Sequence, residues 1–389
     1  MFNTLIKKWF CVGLCLSGTM LLNAEGTIPN HLPDWAFGGF VRPEGVNPVI
    51  SPKESTTFNC PASGKVVQWE SNDTFNPAAT VKDGKIVVLY RAEDKLAKGL
   101  GKRTSRLGYA ESRDGIRFTR KDKPVFFPDK DSQYDLEWPG GSEDPRVAVT
   151  EDSTYVMFYT QWNQKNARLG VATSRDLIKW NKHGPIFQKA HNGKFHNMWS
   201  KSASIVTTVK DGKQVIAKIN GEYFMYWGED AVYAATSPDL VNWIPVVDTW
   251  GNLVPLIKPR KGFFDSTLTE CGPPAVLTER GIVLIYNGKN ASGKDGDERF
   301  ARNAYCAGQV LFDAKNPLSP IARLDSPFLR PMDAFEKSGQ YVDGTVFVEG
   351  LAYHNKKWFL YYGCADSLVG VAVYDPAKPA LGDPLPVRK

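Results

Sequence analysis

One motif recurs along this chain at nearly constant spacing, and that recurrence restricts the fold more than any single segment does. Leu107–Phe118, Leu169–Trp180 and Val232–Trp243 each run from a short apolar stretch into Ser-x-Asp, with an aromatic residue four positions after the aspartate. Asp114, Asp176 and Asp239 lie 62 and 63 residues apart. Weaker copies end at Asp313 and Asp375, at further intervals of 74 and 62. Ahead of each copy stand the same two runs. The first is marked by small residues or proline (75–80, 143–149, 202–206, 271–276, 346–352), and the second is aromatic and apolar (86–90, 155–159, 223–227, 282–286, 358–362).

Short β-branched and aromatic runs, separated by turn pairs such as Asp83-Gly84 and Asn220-Gly221, read as strands. No segment carries a convincing amphipathic helical pattern. Five repeats of about 60 residues therefore predict an all-β chain, a five-bladed β-propeller of four-stranded antiparallel sheets whose first strands line a central channel. Residues 25–389 are expected to form this single domain. The Ser-x-Asp motif is read as structural, its aspartate capping a turn and its aromatic residue packing between blades.

The N-terminus reads as an export signal over residues 1–24: Lys7 and Lys8, an apolar run from Trp9 to Leu22, then Ala24. The mature chain is expected outside the cytoplasm, periplasmic or extracellular. A lipid anchor on Cys15 is disfavoured because Leu14, not a small residue, precedes it. The net charge of +6 falls to +4 without Lys7 and Lys8, too weak to argue for nucleic acid or a membrane surface as partner. Cys60, Cys271, Cys306 and Cys364 remain; four cysteines make no disulfide scaffold here, and most are expected to be buried free thiols. No cysteine or histidine pair has metal-ligand spacing, so no metal is expected.

In a propeller, chemistry sits where inner strands begin or end. The candidates on first strands are Asn76, Glu143-Asp144-Pro-Arg146, Lys201 and Glu270; those at second-strand ends are Arg91 with Glu93 and Asp94, Trp162, Tyr226, Glu229 with Asp230, Asn287 and Asp366. Carboxylates in a narrow channel must be paired, hydrated or used. A water-filled channel with ion-paired acids, such as Asp144 with Arg146, is the bland alternative. Acids from several blades interleaved with aromatic residues instead suit glycoside cleavage, which needs one acid for the leaving oxygen and one carboxylate for the nucleophile.

From about Asn76 to Asp375 the sequence resembles glycoside hydrolase family 130, the β-mannoside phosphorylases and β-1,2-mannosidases. The resemblance is carried by Tyr90-Arg91, Gly141-Ser-Glu-Asp144-Pro-Arg-Val, Lys201, Ile219-Asn-Gly-Glu-Tyr-Phe-Met225, Gly272-Pro-Pro, Leu284-Ile-Tyr and Tyr361-Tyr-Gly-Cys-Ala-Asp366. It implies a five-bladed propeller and an inverting reaction with Asp144 as general acid, in phosphorylases through a mannose hydroxyl. It also implies that Asn76, Arg91, Asp366 and Lys201 hold the mannosyl residue. Phosphorylases of the family carry basic residues after the second strands of blades three and four; this chain has Tyr226-Trp227-Gly228-Glu229 and Tyr286-Asn287-Gly288. A dianion needs positive donors, and a carboxylate repels it. Tyr226 and Asn287 are taken as substrate-binding, with Glu229 and Glu270 as the base apparatus, either one serving as the base.

The expected activity is inverting hydrolysis of β-mannosides, β-1,2-linked manno-oligosaccharides first, with no cofactor. The alternatives are a phosphorylase using inorganic phosphate, a non-catalytic glycan-binding propeller, and an arabinan- or fructan-active enzyme on a similar scaffold. Trp162 and Trp227 are each as readily packing residues as sugar-stacking ones.

Overall fold

The computed structural model describes residues 26–99 and 101–387; the expected export signal at 1–24 lies outside the described residues. The described chain is all-β apart from one four-residue helix, Tyr134–Glu137, and two short 3-10 turns. Each sequence repeat folds as an antiparallel meander. Unit one comprises Asp73–Lys82, Lys85–Glu93, Ser105–Ser112 and Thr119–Arg120. Unit two comprises Gly141–Val149, Tyr155–Trp162, Ala167–Ser174 and Asn181–Pro185. Unit three comprises Ala203–Lys210, Glu222–Trp227, Tyr233–Ser237 and Ile244–Pro245.

Unit four departs locally, because proline cannot donate to a ladder. Gly272-Pro273-Pro274 divides its first strand into Leu268–Cys271 and Ala275–Thr278, and both halves pair with Gly281–Lys289. Tyr305–Phe312 and Pro320–Arg323 complete it. Unit five is Val346–His354, Lys357–Cys364 and Leu368–Tyr374, three strands instead of the four expected. Its outer edge is covered by the N-terminal segment, through bridges from Val41 to Val373 and from Ile50 to Val369. Thr27–His31 also pairs with Leu381–Pro386, so the two ends of the described chain are tied together.

The five units are not five separate sheets. Ser105 pairs in parallel with Gly141, joining units one and two, and Val206 and Thr207 pair in parallel with Ala275 and Val276, joining units three and four. Unit five packs its first strand against that of unit one. A Cβ at Gly350 would come within 2.7 Å of the Pro77 carbonyl, so this approach requires glycine.

The Ser-x-Asp motif does what its residue types predict. Asp114 accepts hydrogen bonds from the N–H groups of Ile116 and Arg117, and Ser112 Oγ accepts from those of Asp114 and Gly115. The same pattern repeats at Asp176 and at Asp239. The aromatic residue then packs onto a neighbouring unit: Trp243 of unit three meets Phe158 of unit two edge-on at 5.6 Å, and Phe118 of unit one meets Tyr361 of unit five at 5.8 Å. The Tyr361 hydroxyl also donates to the Gly115 carbonyl at 2.7 Å. All four described cysteines are buried and unpaired, within the apolar clusters of the core.

If unit-to-unit packing outweighs turn capping, Trp243→Ala should lose about 3–5 kcal/mol of stability in urea unfolding, the range for deleting a fully buried large aromatic. Asp239→Ala should lose roughly 1–2 kcal/mol, the range for removing an exposed polar cap whose bonds water replaces in part. A larger loss from the aspartate would reverse that ranking.

Candidate active site

Polar side chains from the first strands meet at backbone irregularities. In unit one the register shifts between Phe75 and Pro77, leaving Asn76 at φ 43°; in unit two it shifts between Glu143 and Arg146, leaving Asp144 at φ 48°. Bulges of this kind re-aim a side chain, and a proline beside each removes a ladder donor. Asn76 and Asp144 thereby turn toward each other: Asn76 Nδ2 donates to Asp144 Oδ1 at 2.9 Å.

Arg91 organises the acids. From the second strand of unit one it donates to Asp144 Oδ1 at 2.9 Å, Glu143 Oε1 at 2.9 Å, Glu93 Oε1 at 2.7 Å and Ser105 Oγ at 3.0 Å, with its guanidinium over the Phe75 ring. Lys201 Nζ stands 3.5 Å from Asp144 Oδ2 and 4.0 Å from Glu229 Oε2, so the two acids share one cation. Glu270 accepts from Ser202 Oγ and lies 4.0 Å from Arg146. Asp144, Glu229, Glu270, Asn76, Arg91 and Lys201 are therefore brought into one cluster. Asp366 adjoins it; the charges of Arg91 and Asp144 act on its carboxyl.

Their charge states diverge. Burial pushes Asp144 upward, but Arg91, Lys201 and the Asn76 hydrogen bond outweigh it and hold the carboxyl well below the usual range. Burial, with the negative charge of Glu229 added, pushes Glu270 up to about 7. Burial likewise raises Asp366 to about 7, against the pull of Arg91. Glu143 is raised by burial and by the adjacent Asp144 charge, so the neighbouring pair is split, one acid down and one up. Lys201 stays protonated despite burial because Asp144 and Glu229 face it.

Two expected substrate contacts are corrected. Tyr226 is fully buried, stacked on Phe312 at 4.3 Å, and its hydroxyl donates to the Pro317 carbonyl; it belongs to the core between units three and four. Asn287 is also fully buried, and its amide is engaged at both ends by the backbone of Val348, at 3.1 and 2.7 Å. It clamps unit four to unit five and, being fully buried, presents no surface to a sugar. Trp227 is core as well, while Asp230 is exposed and Asp94 pairs with Arg106. Arg146 does not neutralise the Asp144 carboxylate as the ion-paired alternative supposed. It donates to the backbone carbonyls of Asp144, Cys271 and Gly272, and meets the carboxylate of Glu349 at 3.0 Å.

Residue-type reasoning did not single out Glu349, Trp199 or Tyr305. Glu349 was legible in the repeat, since it occupies the bulge of unit five, between Val348 and Gly350, that Asn76 and Asp144 occupy in units one and two. Burial, with the nearby charges of Glu270, Asp366 and Glu229 added, raises the Tyr305 hydroxyl. Trp199, whose indole N–H donates to Glu229 Oε1, lies in the link between units two and three, where no repeat marks it.

A family model described as beta-1,4-mannooligosaccharide phosphorylase matches residues 44–378. The 1,2-beta-oligomannan phosphorylase of Thermoanaerobacter sp. (strain X514) is 34% identical over 314 residues, spanning 79% of this chain and 92% of that one. A glycosyl hydrolase from Bacteroides ovatus, solved at 2.30 Å, is 65% identical with a TM-score of 0.90, over 92% of this chain and 99% of that one. Another solved structure, 65% identical with a TM-score of 0.91 over 92% of this chain and 100% of its own, is described as "The GH130 family of mannoside phosphorylases contains glycoside hydrolases that target beta-1,2 mannosidic linkages in Candida mannan". By the match along its length and by these relatives, the chain belongs to glycoside hydrolase family 130 and is a mannoside-processing enzyme.

Proposed function

We propose that the five units close into a five-bladed β-propeller, and that the acid cluster hydrolyses β-mannosides, β-1,2-linked manno-oligosaccharides first, with inversion and outside the cytoplasm. Ring closure is supported by the contacts of unit five with unit one, through Gly350 on Pro77 and Tyr361 on Phe118. Export rests on the N-terminal residues alone. The linkage is supported by the 65% identical structure described with β-1,2 mannosidic targets.

The observation that carries hydrolysis over phosphorolysis is Glu229 beside Lys201. Each cation of the cluster already faces carboxylates: Arg91 three of them, Arg146 two, and Lys201 two. A phosphate dianion entering there would meet acids in excess of cations. Water meets two carboxylates able to take its proton. In the proposed displacement the water oxygen bonds to the anomeric carbon as the glycosidic C–O bond breaks. Its proton passes to Glu229 or Glu270, and Asp144 supplies the proton that leaves with the departing sugar oxygen. Asp144 is ionised in the free protein. It takes up one proton from solvent as substrate binds, and the base returns one to solvent after turnover; substrate lying across the Lys201 contact removes one of the attractions that depress its pKa, while Arg91 remains the larger. The phosphorylase reading is supported by the description of the family model and by the activities of curated relatives, the 34% identical 1,2-beta-oligomannan phosphorylase and a 30% identical beta-1,2-mannobiose phosphorylase of the same organism among them.

Product analysis on β-1,2-mannobiose with and without inorganic phosphate separates the two. Mannose alone in both, formed first as the α-anomer by NMR, is the expected result; mannose 1-phosphate would contradict it. A second expectation concerns Glu270. A carboxyl whose folded pKa is raised above its ordinary 4.5 opposes folding from that pH upward, fully so above about 7. Glu270→Gln should therefore melt higher than wild type at pH 8 while losing turnover, and the gain in melting temperature should vanish below about pH 4.5. A lower melting temperature at pH 8 would show that Glu270 stabilises the fold.

A further inference from the structure

Exposure around the cluster is graded. The side chains of Asp144 and Glu270 are 4% and 6% exposed, those of Lys201 and Glu229 19% and 21%, and Trp199 is 48% exposed. Exposure thus rises from Asp144 and Glu270 through Lys201 and Glu229 to Trp199, a half-exposed aromatic residue at the edge of the cluster. Large exposed aromatics beside a buried polar site are unusual, because burying such a ring contributes strongly to stability.

Trp199 is also held in place. Its N–H donates to Glu229 Oε1, and its ring is met edge-on by Trp162 at 5.8 Å and 72°. Trp162 is fixed in turn by its own N–H, donating to the Gly101 carbonyl at 3.0 Å. Of the two tryptophans expected either to pack or to stack, Trp227 packs in the core and Trp162 buttresses, while the ring that faces outward is a third. An indole held by its N–H and half exposed suits the apolar face of a pyranose, which carries C–H groups on one side and hydroxyls around its rim.

We infer that Trp199 forms a stacking subsite for a pyranose ring of the manno-oligosaccharide, and that its N–H orients Glu229 when that ring is in place. This inference rests on the mannoside reading above. It assigns two effects to one side chain: the ring face contributes to binding, and the N–H contributes to turnover by restricting the Glu229 carboxylate.

The effects separate by substitution. In an Asp144→Asn background, titration calorimetry with β-1,2-mannobiose and β-1,2-mannotriose should show Trp199→Ala weakening affinity about tenfold, and Trp199→Phe, which keeps a face, by less than about threefold. In the active enzyme, Trp199→Phe should lower kcat by about three- to tenfold with KM nearly unchanged, whereas Trp199→Ala should also raise KM. Melting curves check that each variant is folded. If the Asp144→Asn parent binds neither sugar, the mannoside reading itself fails. If the parent binds and Trp199→Ala binds equally well, the stacking subsite is overturned while that reading stands. Wild-type kcat in Trp199→Phe would overturn the orienting role.

Discussion

The site depends on one buried guanidinium. Arg91 meets Glu93, Glu143 and Asp144 together, and without it Glu143 would have no cation while Glu93 and Asp144 would keep only Arg103 and Lys201. Buried like charges this close do not stay ionised unaided; removing their cation would protonate them or open the structure. Arg91 sits on the second strand of unit one and reaches across to the first strand of unit two, so the same contact that sets charge also fixes how adjacent units are angled. Fold and chemistry are coupled at this residue.

Lys201 and Arg146 extend that arrangement. Lys201 links Asp144 to Glu229, and Arg146 ties the carbonyls of unit four to the Glu349 carboxylate of unit five. Acids from units two, three and four are thus positioned by cations, and the carboxylates outnumber those cations. Burial raises the pKa of Glu270 and Asp366, and neighbouring carboxylates add to it; the excess of acids is unfavourable to an entering anion.

The fold was legible because the repeat is written in residues with direct local physics. Ser112, Asp114 and Phe118 specify a turn and a packing contact, and the spacing of their copies places the five units. What the spacing did not convey was hydrogen bonding between units, or the replacement of a fourth strand in unit five by Val41 and Ile50, which lie more than 300 residues away in sequence. The acids were legible as residue types on inner strands. Tyr226 and Asn287 were misread because strand position alone does not tell which face a side chain takes: the pleat turns Tyr226 into the core, and a backbone bulge at Val348 to Gly350 engages the Asn287 amide. Trp199 lies outside the repeat, and only the fold brings it to Glu229.

The central claim is that acids from separate units converge on one glycosidic bond with water as the nucleophile. A crystal structure of Asp144→Asn soaked with β-1,2-mannobiose tests it most directly. The account predicts the glycosidic oxygen on the side of residue 144 and an ordered water near the anomeric carbon, held by Glu229, Glu270 or both. A sugar bound away from these residues, or a phosphate ion seated beside Lys201 where that water should stand, would contradict it.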